Sequence, residues 1–131
     1  MIKTAVIGFG FMGMTHTANI LKNTDIHLVA IIDKDVEGID RKLKEGGGNF
    51  EIEGINPSRL KNVKLYTSLA ECLKEEKLDA VHICVHTDLH FPLAKEALEA
   101  GLHVLVEKPF VLRPEEGFEL IRIAEKKRKK L

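Results

Sequence analysis

"AVIGFGFMGMTH", residues 5–16, decides how the rest of the chain is read. An apolar, β-branched run ends in glycines at positions 8, 10 and 13, and Met14, Ala18 and Leu21 then recur on one face of a helical pattern. A strand that turns through G-x-G-x-x-G into a helix is suited to a diphosphate, because main-chain N–H groups point out of the helix N-terminus and a Cβ at the point of approach would obstruct it. In that reading Gly8 permits the tight turn, Gly10 the close approach and Gly13 the packing of helix on strand.

A dinucleotide site also needs a carboxylate for the adenosine ribose diol, and Asp33 follows Gly13 by 20 positions at the end of the next apolar run. Its charge would repel a 2′-phosphate, which favours NAD over NADP; the neighbouring Lys34 partly offsets that repulsion and keeps NADP open. The structural alternative for Asp33 is a polar residue that merely ends a strand.

Moving outward, short β-branched runs alternate with helical patterns: "KTAVIG" (3–8), "HLVAII" (27–32), "VKLY" (63–66), "DAVHICV" (79–85) and "HVLVE" (103–107). This rhythm predicts an α/β, Rossmann-type doubly wound parallel sheet of about five strands in the order 3-2-1-4-5. Helix punctuation agrees. Ser68 followed by Glu71 fits a capping box ahead of Leu69, Cys72 and Leu73. Phe91 to Ala100 repeats apolar residues at 93, 94, 97 and 98 and stops at Gly101, while Pro114 opens a pattern in which Phe118, Ile121 and Ala124 recur. Between a helical piece ending near Glu45 and the third strand, "GGGNFEIEGINPSR" reads as a surface loop or short insertion. The basic run "EKKRKKL" reads as a solvated helix end whose lysines suit the negative pole of the helix dipole.

Composition narrows the class. The 131 residues are 44% apolar and 31% charged, which suits one globular domain over residues 1–131. Lysine plus arginine and aspartate plus glutamate each number 20, so no net field draws in nucleic acid or an anionic membrane. Two cysteines without metal-ligand spacing, and an amino terminus without the regions of a signal peptide, point to a cytoplasmic protein with reduced thiols.

In an open parallel sheet, ligands lie beyond the carboxyl ends of the strands where the strand order reverses. The segments that reach this crevice are "VHTDLH" (85–90) and "EKP" (107–109). Glu107 and Lys108 place an acid and an ammonium where a hydroxyl can be oriented and its proton moved, and Pro109 restricts the conformation of Lys108. His86 and His90 share a loop, but no third ligand is placed by spacing, so no metal is expected. For His90, packing at a helix start and a cofactor contact stand level. His16 is read as packing or bonding to a nearby loop, and Cys84 as a buried, inert thiol.

"GFGFMGMTH", Asp33, "DAVHICVHTDLH" and "GLHVLVEKPF", in this order, resemble the N-terminal half of the glucose-fructose oxidoreductase, inositol dehydrogenase and rhizopine-catabolism (Gfo/Idh/MocA) family, over nearly the whole chain. The resemblance implies an NAD(P)-dependent oxidoreductase acting on a sugar, cyclic polyol or related compound by hydride transfer. Gly8, Gly10, Gly13, Phe11 and Met12 would line the pyrophosphate, and Asp33 the adenosine ribose. Val85, His86 and His90 would form the loop beside the cofactor, and Glu107 and Lys108 the nicotinamide ribose and substrate, with Lys108 as the catalytic lysine. Val85-His86 stands where the family commonly has Thr-Pro. The resemblance also implies a second domain, absent from this sequence, that carries most of the substrate pocket and the surface through which subunits form homo-oligomers. A module that senses NAD(P) or interacts without catalysis is the alternative from another class.

Overall fold

Five β-branched runs become the strands of one parallel sheet in the computed structural model of the chain, which describes residues 1–45 and 54–131. They are β1 (Ile2–Ile7), β2 (Ile26–Ile32), β3 (Lys64–Tyr66), β4 (Ala80–Ile83) and β5 (His103–Val106). Between them lie the helices α1 (Phe11–Lys22), α2 (Val36–Glu45), α3 (Leu69–Glu75) and α4 (His90–Glu99), and α5 (Pro114–Lys127) follows β5. The spatial order is β3-β2-β1-β4-β5, as the sequence rhythm predicts. The order reverses between β1 and β4, which puts the crevice of the sheet at the carboxyl ends of these two strands.

Successive side chains of a strand point to opposite faces, and β1 is covered on both. Ala5 and Ile7 face a core shared with Leu69 and Cys72 of α3, Ala94, Ala97 and Leu98 of α4 and Leu120 of α5. Val6 faces the other core, with Ala18 and Ile20 of α1 and Ile39 of α2. Burying one such branched side chain is worth about 1.5–3 kcal/mol. The central strands therefore hold the crevice rigidly. Register aligns their ends: Ile7 lies opposite Ile32 and Ile83, and Ile83 opposite Val106.

The capping box ahead of α3 forms, with a variation. Ser68 Oγ accepts from Glu71 N–H at 3.1 Å, while Glu71 reaches back past Ser68 to accept from the N–H and hydroxyl of Thr67. In the irregular connection, residues 46–53 of the expected loop lie outside the described residues. After them, Asn56 accepts from Ser58 N–H and Pro57 opens a 3₁₀ turn, Pro57–Leu60, anchored by buried Ile55 and Leu60.

Of Phe118, Ile121 and Ala124, only Ala124 is buried; Phe118 is 72% exposed, and the inward face is Gly117, Leu120, Ile123 and Ala124. Gly117 suits this rotation, because a Cβ there would come within 3.2 Å of the Phe110 ring and press on it. Beyond α5, the basic segment is tied to the sheet. Arg128 takes the left-handed conformation of a helix stop, Lys129 N–H donates to Ala124, and Val104 N–H of β5 donates to the Lys130 carbonyl.

Candidate functional site

The glycine turn joins β1 to α1 at the crevice. Gly8 N–H donates to the Ile32 carbonyl at 2.7 Å, and with φ at +90° its backbone occupies a region that favours glycine. A Cβ on Gly8 would collide with the Cys84 carbonyl of the adjoining strand, and one on Gly13 would collide with the Gly8 carbonyl. The fold itself thus requires both residues to be glycine. Gly10 differs: its backbone is extended and a Cβ there would meet no atom within 4 Å. Among the described residues nothing excludes a side chain at Gly10, yet it stands at the mouth of α1.

That mouth is bare and apolar-rimmed. Gly10 caps α1 without a side-chain bond, the first turn carries no acidic residue, and Phe11 is 68% exposed beside a partly exposed Met12. The positive end of a 12-residue helix dipole meets open space here.

Asp33 lies across the crevice. Its Oδ2 accepts from Phe9 N–H at 2.7 Å and its Oδ1 from Asp35 N–H at 2.8 Å, so it pins the glycine turn as well as ending β2. Each oxygen keeps a further lone pair for an outside donor. Lys34 is exposed on the same turn.

On the other side, the chain leaves β4 and β5 toward the same opening. Cys84 N–H donates to Ile7 and Glu107 N–H to Ile83, which continues the ladder past the strand ends. Val85 is half-buried and His86 exposed at the head of the 3₁₀ turn Thr87–Leu89. Lys108 is exposed, its N–H donates to Glu107 Oε2 at 3.2 Å, and its peptide bond to Pro109 is cis.

His90 is buried, with Nε2 3.0 Å from the Val85 carbonyl and Nδ1 2.8 Å from Pro109 and 3.1 Å from Phe110 carbonyl oxygens. It thereby braces the loops that leave β4 and β5 and does not open onto the crevice.

His16 does bond to a nearby loop: its Nε2–H donates to Glu107 Oε1 at 2.7 Å. Its Nδ1 lies 2.9 Å from Nδ1 of His82, a residue the sequence reading passed over. The available signal was a ring-bearing polar residue in the otherwise apolar run "AVHICV". The hydrogen bond from His16 holds Glu107 below the usual carboxylate range, against the opposing effect of its partial burial, and the Lys108 N–H adds to it. Burial, and secondarily the neighbouring His16, lower His82 to about 4. Burial and the Glu107 charge push the Cys84 thiol up to about 12, so it is not a nucleophile at neutral pH. Among the described residues no group of three or more His, Cys, Asp or Glu is placed to hold a metal ion, and no helix is long and apolar enough to cross a membrane.

Comparison with known proteins places this geometry. The family described as "Oxidoreductase family, NAD-binding Rossmann fold" (Gfo/Idh/MocA) matches residues 2–131. The inositol 2-dehydrogenase of Corynebacterium glutamicum is 27% identical over 126 residues, covering 95% of this chain and 33% of that protein. Among solved structures, GenD2 from gentamicin A biosynthesis, in complex with NAD, superposes with a TM-score of 0.79 at 26% identity, covering 98% of this chain and 32% of that one. The UDP-N-acetylglucosamine 3-dehydrogenase of Acidithiobacillus ferrooxidans gives 0.73 at 28% identity, covering 98% and 35%. The chain spans about a third of the length of the relatives it matches.

Proposed function

The chain belongs to the Gfo/Idh/MocA oxidoreductase family, and from that premise we propose that residues 1–131 are the dinucleotide-binding domain of an enzyme that oxidises or reduces a sugar, cyclic polyol or related compound. NAD, when bound, supplies the hydride acceptor or donor. The observation that carries the reading is Gly10, a glycine that no neighbour among the described residues requires, set at the positive end of α1. A pyrophosphate that fills this space accounts for the missing Cβ.

The chain's own residues divide the work. N–H groups at the start of α1 hold the diphosphate between Gly8, Gly10 and Gly13, with Phe11 and Met12 shielding it from water. Asp33 accepts from the adenosine ribose hydroxyls with its remaining lone pairs, and its charge disfavours a 2′-phosphate; Lys34 moderates that preference. Val85 and His86 border the nicotinamide side, and His90 supports them from below. Glu107 receives the nicotinamide ribose. Lys108, exposed beside it, orients the substrate hydroxyl and takes or returns its proton.

Titration of this chain with NAD tests the reading. Saturable binding, lost in Gly10→Val while the fold persists, is the expected result; no binding by folded protein overturns it. In a full-length protein, Lys108→Ala abolishes turnover but not NAD binding. A full-length protein that binds NAD and turns over no sugar or polyol would instead be a sensing module.

A further inference from the structure

Three segments far apart in the sequence meet beside Lys108: α1 brings His16, β4 brings His82 and the turn after β5 brings Glu107. The side chains of His16 and Glu107 are only 15% and 18% exposed, and the two imidazole rings meet edge to face, 5.2 Å between centroids and 86° between planes. A pair of bonded rings inside the switch point of a sheet is more than packing requires. Either ring replaced by an aliphatic side chain would fill the same space.

We propose that His16 is a positioning residue which, braced by His82, fixes the rotamer and the negative charge of Glu107 so that this carboxylate is presented to the nicotinamide ribose next to Lys108. The proposal rests on the NAD-binding reading above and adds two residues to it. A carboxylate only accepts, so His16 must carry its proton on Nε2. Its Nδ1 is then a lone pair accepting from His82 Nδ1–H, or, when the ring is cationic, an N–H donating to a His82 Nδ1 lone pair. A tautomer change in His82 absorbs the difference, and neither hydrogen bond breaks. Of the other titratable groups nearby, Lys108 flanks Glu107 and favours its charge, and Cys84, just past β4, stays a thiol. Glu107 is thereby held as an anion of fixed orientation whichever protonation state His16 takes.

Calorimetric titration of the 131-residue chain with two probes tests this. ADP reports on the glycine turn and Asp33, whereas NAD also engages Glu107. His16→Leu is expected to weaken NAD roughly tenfold and ADP less than about twofold; His16→Gln, whose amide can still donate to Glu107, restores most of the loss. In a Glu107→Ala background the cost of His16→Leu falls below about twofold. His82→Phe, which removes the brace and keeps an aromatic ring, gives a smaller NAD-specific loss. The proposal is overturned if His16→Leu leaves NAD affinity unchanged, if it weakens NAD and ADP equally, which marks a distorted α1, or if its cost persists without Glu107. Wild-type protein that binds neither probe would defeat the NAD-binding reading itself. If His16→Leu does not fold, His16→Gln and His82→Phe decide by the same comparison.

Discussion

Phe9 N–H donates to Asp33 Oδ2 at 2.7 Å, so the carboxylate assigned to the cofactor also fastens the glycine turn to the end of β2. On the proposed function one side chain therefore serves both the fold and the ligand. Asp33→Ala removes the acceptor of two main-chain hydrogen bonds and is expected to cost about 1–2 kcal/mol in urea denaturation. Asp33→Asn keeps an acceptor oxygen and loses less. In both variants the ratio of NAD to NADP affinity falls, measured by paired titrations.

The three glycines of the turn separate when each is changed to alanine. Gly13→Ala drives a Cβ into the Gly8 carbonyl and should destabilise by about 1–3 kcal/mol or more. Gly10→Ala meets nothing within 4 Å but puts the poorer N-cap residue at the start of α1, and should lower stability by no more than about 1 kcal/mol. Its NAD affinity should nevertheless drop. Thermal melts in parallel with NAD titration distinguish the two effects.

Acid stability follows from the histidine pair. His82 is lowered to about 4 from an ordinary value near 6.5, so the unfolded chain binds a proton that the folded chain refuses between those limits. Stability is present above about pH 6.5 and is lost as pH falls toward 4, by on the order of 1–2 kcal/mol once partial solvation of the ring is allowed for. Glu107, also lowered, adds a loss in the same direction as pH falls through its folded value. Urea midpoints between pH 7 and 4 measure this slope, which His82→Phe should flatten.

The thiols act at the opposite end. Burial, with nearby carboxylates, pushes Cys72 up to about 11, and Cys84 up to about 12, while an unfolded cysteine ionises near 8.5. The unfolded chain then sheds protons first, so stability declines as pH rises above about 9. At pH 8, iodoacetamide should modify both cysteines slowly in the folded chain and rapidly in urea, as read by mass spectrometry.

Helix α5 gives a test of packing. Leu120→Ala should cost about 2–5 kcal/mol, whereas Phe118→Ser, on the solvent side, should stay within about 0.5 kcal/mol by denaturant midpoint.

That helix also shows why some of the molecule was legible in the sequence and some was not. Strand order and the glycine turn could be read because they depend on local signals: β-branched runs, a turn that only glycine permits at Gly8, and a cap at Ser68. The rotation of α5 could not, since Phe118, Ile121 and Ala124 make as good a helical stripe as Leu120, Ile123 and Ala124, and the second is the one that suits Gly117 against Phe110. The site divides in the same way. Asp33 was singled out by its distance to Gly13, but its bond to Phe9 was not legible, and the pairing of His16 with His82 spans 66 positions that no periodicity links. His90 could be placed near the loop by sequence, yet whether its ring faced a ligand or three carbonyl oxygens depended on how the turn after Lys108 returned.

Because His16 and Glu107 stand 91 positions apart and His82 must arrive on a strand between them, their mutual contacts can close only when the first, fourth and fifth strands have all taken their places. Proton signals of the two rings would then serve as an internal reporter of completed assembly, silent in any intermediate that has formed only one half of the sheet.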